Sequence, residues 1–340
     1  MNHHSPISRR SFVAATSGAL LVPKAFAQAA PRQVKVMSSL PTLTSAPTYV
    51  MKSRKLDIAR GMDVVIQQTG GSSSLQIDGL LSKNADFAFP GTGTALNAIR
   101  EGADLRILGC YSNNQMAAVI HNDRLKKLGM PLDAPIAERF RALKGMTIAT
   151  NPVGATYTQM LRFYLKQYGV DPDKDVRLVG VQDSNAMITG IQQARFDVIC
   201  TASGIVEQAI SLGVGTLWFS GSRGDIPGSD KTQVAVLVTR GELADRDPAY
   251  VELMRAGIND TLNFLNTDRV AAGKIIHEQY LNKIDPAIWS LVWDNAKSAY
   301  PGKLAFSRAT YDFWIDADPK GAESYKQIDY KKITFPSAQA

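Results

Sequence analysis

The most constraining feature of the chain is a run of short apolar segments: "VKVM", "DVVIQQ", "DFAFP", "LRILGC", "MTIATN", "VRLVGV", "DVICTA" and "TLWFSG". Each is bounded by Gly, Pro, Ser or Asn, the signature of a strand that ends in a turn. Between them lie segments such as "GTALNAIREGA", "YTQMLRFYLKQYGV" and "AMITGIQQARF", whose apolar residues recur at helical spacing. Strands and helices in alternation specify an α/β fold with mainly parallel sheets. At 340 residues, 45% of them hydrophobic, the chain is long enough for two lobes, each with its own core.

A weak internal repeat supports two lobes. "GLLSKNADFAF" from Gly79 and "GIQQARFDVIC" from Gly190 share a Gly-to-Asp spacing, and each leads into a small polar turn, "PGTGT" at Pro90 and "TASG" at Thr201. From Asp247 the pattern becomes helical, with Asp or Asp-Pro at each helix start. This return implies that the chain goes back to its first lobe. The two long apolar runs without intervening helices, "NNQMAAVIHN" and "TQVAVLVTRG", are the crossovers, expected as hinge strands paired with each other. The expected division is residues 33–114 and 236–319 for lobe 1, 115–235 for lobe 2 and 320–340 as a C-terminal tail.

Residues 1–27 read as an export signal. Arg9 and Arg10 precede a weakly apolar run from Phe12 to Val22, and Ala25-Phe26-Ala27 has the small-x-small spacing of a cleavage site, with cutting expected after Ala27. The run is far shorter than the ~20 residues that span a bilayer. Ser8–Phe12 resembles a twin-arginine signal, while Val13 and Ala14 depart from it, so both that route and the ordinary secretory route stay open. A soluble periplasmic protein is expected. Removing Arg9, Arg10 and Lys24 with the signal leaves +4 of the formal +7 charge, too mild an excess for nucleic-acid binding. Cys110 and Cys200 read as two buried thiols rather than a disulfide. His121 and His277, the histidines beyond the signal, supply no metal cluster.

In α/β sheets ligands sit beyond the carboxyl ends of the strands. Here those ends are Pro41–Pro47, Gly70–Ser74, Pro90–Thr94, Tyr111–Gln115, Asn151–Thr156, Gln182–Asn185, Thr201–Gly204 and Ser220–Ser222. Apart from tyrosine, the one ionisable side chain among them is Asp183, and Ser38–Met51 carries no charge at all. A neutral rim rich in hydroxyls and glycine lets backbone N–H groups and helix N-termini approach a small anion or polar solute. Tyr111, Tyr157 and Trp218 lie near these ends, where they can pack on an apolar part of the ligand.

The blocks "LPTLTSAPTYVMKSRKLDIARGMDVVI", "GGSSSLQIDGLLSKNADFAFPGTGTALNAIREGADLRIL" and "LKGMTIATNPVGATYTQMLRFYLKQYGVDPDKDVRLVGV" resemble the solute-binding proteins of bacterial ABC importers in the alkanesulfonate, taurine, nitrate and thiamine-pyrimidine family. The resemblance implies a type II periplasmic binding protein fold, two α/β lobes joined by two hinge strands. It places ligand-contacting loops on Thr42–Ser45, Gly71–Ser73, Gly91–Thr94, Tyr111, Gly154–Tyr157 and the turn after Val198. Strand ends and resemblance together nominate Thr42, Thr44, Ser45, Gly71, Ser72, Ser73, Gly91, Thr92, Thr94, Tyr111, Asn151, Gly154, Ala155, Thr156, Tyr157, Asp183, Thr201 and Ser203. The expected function is capture of a small organic anion, a sulfonate or carboxylate, for delivery to an ABC permease and its ATPase subunit. The alternatives are a receptor for a thiamine-precursor pyrimidine or similar heterocycle, and an exported enzyme on the same fold. Against the enzyme, the sequence shows no Ser/His/Asp order and no close carboxylate pair along the cleft. No cofactor, metal or nucleic-acid partner is expected, and the chain reads as a monomer.

Overall fold

Each of the eight apolar runs forms a strand in the computed structural model, which describes residue 1 and residues 30–340 apart from Lys297 and Pro319. The export-signal reading of residues 1–27 falls outside the described residues. Pro31–Ala340 forms one compact unit. Its first part runs β1 (Arg32–Ser38), α1 (Ala46–Ser53), α2 (Leu56–Ala59), β2 (Met62–Gln68), α3 (Ser73–Leu81), β3 (Phe87–Ala88), α4 (Thr92–Arg100) and β4 (Leu105–Asn113). Next come β5 (Met116–His121), α5 (Asn122–Leu128), α6 (Ile136–Arg141), β6 (Thr147–Thr150), α7 (Thr156–Gln167), β7 (Arg177–Gly180), α8 (Ser184–Gln192), β8 (Val198–Ala202), α9 (Val206–Ser211) and β9 (Gly215–Ser220). The return comprises β10 (Gln233–Arg240), α10 (Gly241–Arg246), α11 (Pro248–Thr267), α12 (Arg269–Tyr280), α13 (Pro286–Asn295), α14 (Arg308–Ala317) and α15 (Tyr330–Ile333).

Two five-stranded sheets result, in the orders β2-β1-β3-β10-β4 and β7-β6-β8-β5-β9. In each, three strands run parallel and the fourth lies antiparallel to its neighbours. The sequence repeat is thus a structural one. Gly79 sits where a Cβ would come 2.3 Å from Met37 of β1, so its helix lies close on the sheet, and Gly190 where one would come 2.2 Å from Phe196, in the turn that leads into β8. The residues that end these helices, Lys83 and Ala194, both adopt left-handed backbone at φ 61° and 52°. Asp86 N and Asp197 N then donate to the parallel strand beside the one that follows, at Lys35 O in β1 and Thr147 O in β6 (both 2.9 Å).

One expectation is overturned. The two apolar crossover runs do not pair with each other: β5 lies between β8 and β9, and β10 between β3 and β4. A run apolar on both faces is stable in the middle of a sheet, covered by helices on each side, rather than in an isolated two-stranded link. The crossings themselves are Asn114–Gln115, held by Gln115 Nε2 donating to Ala299 O (3.0 Å), and the loop between β9 and β10. Residues 320–340 pack on the first sheet, with Phe335 N donating to Ile107 O (2.9 Å) and Phe335 and Ala338 buried. Cys110 and Cys200 are buried, unpaired and in different sheets, and burial raises the pKa of both thiols.

Candidate functional site

The carboxyl ends of both parallel trios face one cavity of about 80 Å³. Five helices of eight residues or more begin on its wall. Thr44 precedes the N-cap of α1, Ser73 opens α3, Gly91 caps α4, Ala155 caps α7 and Ser184 opens α8. This convergence follows from the parallel strand direction, which delivers every strand-to-helix turn to one edge. Neither α4 nor α7 has a side-chain cap of its own; in α4 the Thr94 N–H is taken up across the cleft by Thr156 Oγ1, and the other first-turn N–H groups of the two helices keep their partial positive charge. Asp, Glu, Lys and Arg are all absent from the wall.

Hydroxyls on the wall are held in place by hydrogen bonds within the protein. Ser73 Oγ accepts from Gly91 N (3.0 Å) and Thr156 Oγ1 from Thr94 N (3.4 Å); this leaves the Ser73 O–H free to donate, while the Thr156 O–H faces Thr94 Oγ1 (3.5 Å), whose own proton goes to Gly154 O. Asn151 Oδ1 accepts from Thr201 Oγ1 (2.7 Å), which fixes the amide and leaves Nδ2 as the donor. Tyr111 OH donates to Phe89 O (3.0 Å). Burial raises the pKa of Tyr111 and of Tyr157, the latter opposed by its hydrogen bond to Thr44. Apolar atoms of Phe89, Ile205, Val234 and Ala235 complete the wall.

The halves are closed on each other. Thr44 Oγ1 and Tyr157 OH lie 2.6 Å apart, Leu43 N donates to Ser203 O (3.2 Å) and Thr94 Oγ1 to Gly154 O (3.2 Å). Glycine is needed for this fit: a Cβ on Gly91 would stand 2.0 Å from Thr156 Oγ1, and one on Gly93 2.1 Å from Gln159 Oε1. Outside Thr94 and Gly154 a wider groove of about 680 Å³ opens. Its arginines are already paired, Arg100 with Asp318 and Arg162 with Asp173, so the neutral inner cavity is the better candidate for the solute.

A sequence profile for the NMT1-like family matches residues 27–276. The chain belongs to the NMT1-like family. No curated protein sequence matches it significantly. Among solved structures, the alkanesulfonate-binding protein SsuA from Xanthomonas axonopodis pv. citri, bound to MOPS, is 15% identical with a TM-score of 0.68, over 92% of this chain and 99% of that one. The periplasmic aliphatic sulphonate binding protein SsuA from Escherichia coli is 14% identical with a TM-score of 0.67, over 91% and 99%. The periplasmic nitrate-binding protein NrtA from Synechocystis PCC 6803 is 18% identical with a TM-score of 0.61, over 78% and 69%. At these identities the likeness establishes the fold, that of periplasmic solute-binding proteins. The expectation of an α/β, type II periplasmic binding fold is borne out.

Within this NMT1-like chain the nominated residues divide into three groups. Thr42, Thr44, Gly71, Ser73, Gly91, Tyr111, Asn151, Ala155, Thr156, Tyr157 and Thr201 line the cavity. Thr94 and Gly154 border the outer groove. The others face elsewhere: Ser45 Oγ donates to Leu40 O (2.8 Å), Ser72 caps α3 through Leu75 N (3.2 Å) and Thr92 Oγ1 is turned toward Gln233 O (3.5 Å). Ser203 is buried, with its carbonyl toward Leu43 N. Asp183 caps α8 through Asn185 N (2.7 Å), in an open depression beside Leu40 and Gly70. Trp218 is a core residue whose Nε1 donates to Arg139 O (3.2 Å). Tyr111 lies within β4 rather than beyond it, because that strand runs on to Asn113 beside β10. Reading the strand ends missed Gln76, inside α3, and Val234 and Ala235, at the start of β10. Ser39 lies in the uncharged run Ser38–Met51 and Ser184 in the strand-end segment Gln182–Asn185. No local signal marks Gln76 or the β10 pair, which reach the cavity through tertiary placement alone. Among the described residues no His/Cys/Asp/Glu group could hold a metal ion, and no helix is long and apolar enough to cross a membrane.

Proposed function

We propose that the chain is a periplasmic receptor of an ABC-type importer that captures a small organic anion, a sulfonate or carboxylate, between its two lobes and hands it to the membrane permease and its ATPase subunit. One observation carries the reading: five helix N-termini, the Ser73 hydroxyl and the Asn151 amide meet on a wall without a single charged side chain. An oxyanion brought there exchanges water for several donors already held in place, whereas an ammonium group loses its hydration and finds no carboxylate. The sulfonate- and nitrate-binding proteins that share the fold support the choice of an anion. The cavity has roughly half the volume of the ~150 Å³ apolar cavity that takes benzene. This fits a small head group with a short apolar part against Phe89 and Ile205.

Residues 33–114 and 236–319 act as one lobe of this receptor and 115–235 as the other, opening at the two crossings to admit the solute. The mature protein works as a monomer after cleavage at Ala27. Thermal melts of the mature protein with alkyl and aryl sulfonates, aromatic carboxylates, pyrimidines and polyamines test the reading. A true solute at about a hundred times its Kd adds roughly 2.7 kcal/mol of stability. A shift with polyamines and none with anions would refute it. The aromatic wall, in which Phe89 and Tyr111 lie edge to face with centroids 5.3 Å apart, makes a flat heterocycle the second reading. That reading requires the lobes to close less tightly than here, since the cavity of about 80 Å³ is smaller than one that takes a six-membered ring. A shift with pyrimidines alone would make that the better description.

A further inference from the structure

Gln76 is 1% exposed, sits in the fourth position after the N-cap of α3 and lines the cavity. With its amide oriented to satisfy its neighbours, Oε1 accepts from Ser39 N (3.0 Å) and Nε2 donates to Phe89 O (2.8 Å), while Thr69 Oγ1, 3.2 Å from Oε1, shares its one proton between Oε1, Ser72 O (3.1 Å) and Ser38 O (3.3 Å). Ser39 follows β1, Thr69 follows β2 and Phe89 follows β3. One buried side chain therefore ties together the ends of all three parallel strands of the first sheet. Each of these strand ends leads directly into cavity wall, at Ser39, Gly71 and Gly91.

The amide has four hydrogen-bonding positions, and three are filled. The remaining Nε2–H is near Pro90 N (2.9 Å), an amide nitrogen that cannot accept. A buried donor without an acceptor costs about 1–3 kcal/mol, and such a group at a cavity wall is relieved when a bound molecule accepts from it. The corresponding position of the second repeat, 111 residues on, is Met187, which is also buried but apolar. The tie is therefore particular to the first lobe.

We infer that Gln76 is the residue that sets the geometry of the solute cavity in the first lobe, holding three binding loops in register and presenting its spare N–H to the solute. The donor half of this inference rests on the anion reading above; the positioning half stands without it. An acceptor-only group at this position would face Phe89 O with a second negative oxygen, and the loops would part. A protonated carboxyl, in contrast, copies the amide: its carbonyl oxygen accepts from Ser39 N and its O–H donates to Phe89 O.

Gln76→Met and Gln76→Glu test this by hydrogen exchange of the ligand-free protein, read as the variant-to-wild-type ratio at each pH. The Ser39 amide is the reporter, and the Val181 amide, bonded to Thr150 O in the second sheet (2.7 Å), is the reference for global opening. In Gln76→Met, Ser39 exchange should rise at least about tenfold while Val181 is unchanged. In Gln76→Glu the same rise should appear at pH 8 and shrink to within about threefold of wild type at pH 5, because burial lifts the new carboxyl above the ordinary carboxylate range. A merely structural glutamine would give equal losses at both pH values. Ser39 exchange unchanged in Gln76→Met, or a pH-independent ratio in Gln76→Glu, would overturn the positioning role. Calorimetry with methanesulfonate and acetate supplies the second arm, in which Gln76→Met should weaken any probe that binds wild type by about tenfold. Unchanged affinity would remove the donor role. Failure of every anion to bind wild type would sink the anion reading and the donor role with it, while leaving the exchange result to judge the tie.

Discussion

Gly91→Ala tests whether the fit between the lobes, rather than the stability of either lobe, sets solute affinity. The backbone at Gly91, φ −67° and ψ 146°, is ordinary extended geometry that alanine adopts without strain. Its N–H bond to Ser73 Oγ is unaffected by a methyl group. The added Cβ, however, would stand 2.0 Å from Thr156 Oγ1 and 2.6 Å from Thr156 Cβ, across the cleft. Ordinary carbon contact begins near 3.5 Å, so the deficit is about 1–1.5 Å. Turning Thr156 about χ1 moves Oγ1 but not Cβ, and the clash persists. The least costly relief is for the lobes to separate. Overpacking of this kind costs about 1–3 kcal/mol; charged against closure, it weakens apparent affinity roughly 5- to 150-fold. Small-angle scattering of the ligand-free variant should show a larger radius of gyration than wild type, with a melting temperature little changed. Thr156→Gly in the same chain removes both clashing groups and should bring the compact profile back. A Gly91→Ala protein as compact as wild type and with undiminished solute-induced stabilisation would show that closure does not depend on this contact.

Three other outcomes are expected. Tyr157→Phe removes the 2.6 Å hydrogen bond to Thr44 and should weaken solute binding by about 0.5–1.5 kcal/mol through faster dissociation, measured by stopped-flow release; an unaltered off-rate counts against this bond as a closure contact. Burial lifts Tyr49 to about 12 and raises Tyr111 and Tyr157 as well, so between pH 10 and 12 the unfolded chain loses phenol protons that the folded one keeps. Stability then falls as pH rises above about 10, and titration at 295 nm should show a set of tyrosines ionising only on alkaline unfolding. The buried thiols of Cys110 and Cys200 should resist a thiol-specific chromophoric reagent at pH 8 and react fully in denaturant; rapid labelling of the native protein would contradict their placement.

Strands, helix starts and the neutral rim were legible in the sequence because local chemistry decides them. Apolar runs ending at Asn, Gly or Ser, such as "MTIATN", have one economical conformation whatever surrounds them. Parallel strand direction then obliges their turns to share an edge, which is why Gly71, Asn151 and Thr201 could be named before the cavity was seen. The spacing of Gly79 and Gly190 was readable for a similar reason, since at each a Cβ would collide with a neighbouring side chain, Met37 or Phe196.

Tertiary packing alone decided the rest. The run "TQVAVLVTRG" is as suited to a hinge as to a sheet centre by composition, and the first sheet takes it because β3 and β4 leave a gap with helices on both faces. That insertion carries Val234 and Ala235 into the cavity wall, far in sequence from every strand end they join. Ser72 and Ser73 are chemically equivalent as sequence, yet one caps α3 and the other meets Gly91, because successive residues at a helix start point about 100° apart. Gln76 lies inside an ordinary helical pattern, and its reach to Ser39, Thr69 and Phe89 exists only once three strands have been laid side by side. Residue type and spacing determine which groups can donate a hydrogen bond; the direction in which each donates depends on contacts between segments distant along the chain, and those are settled when the sheets form.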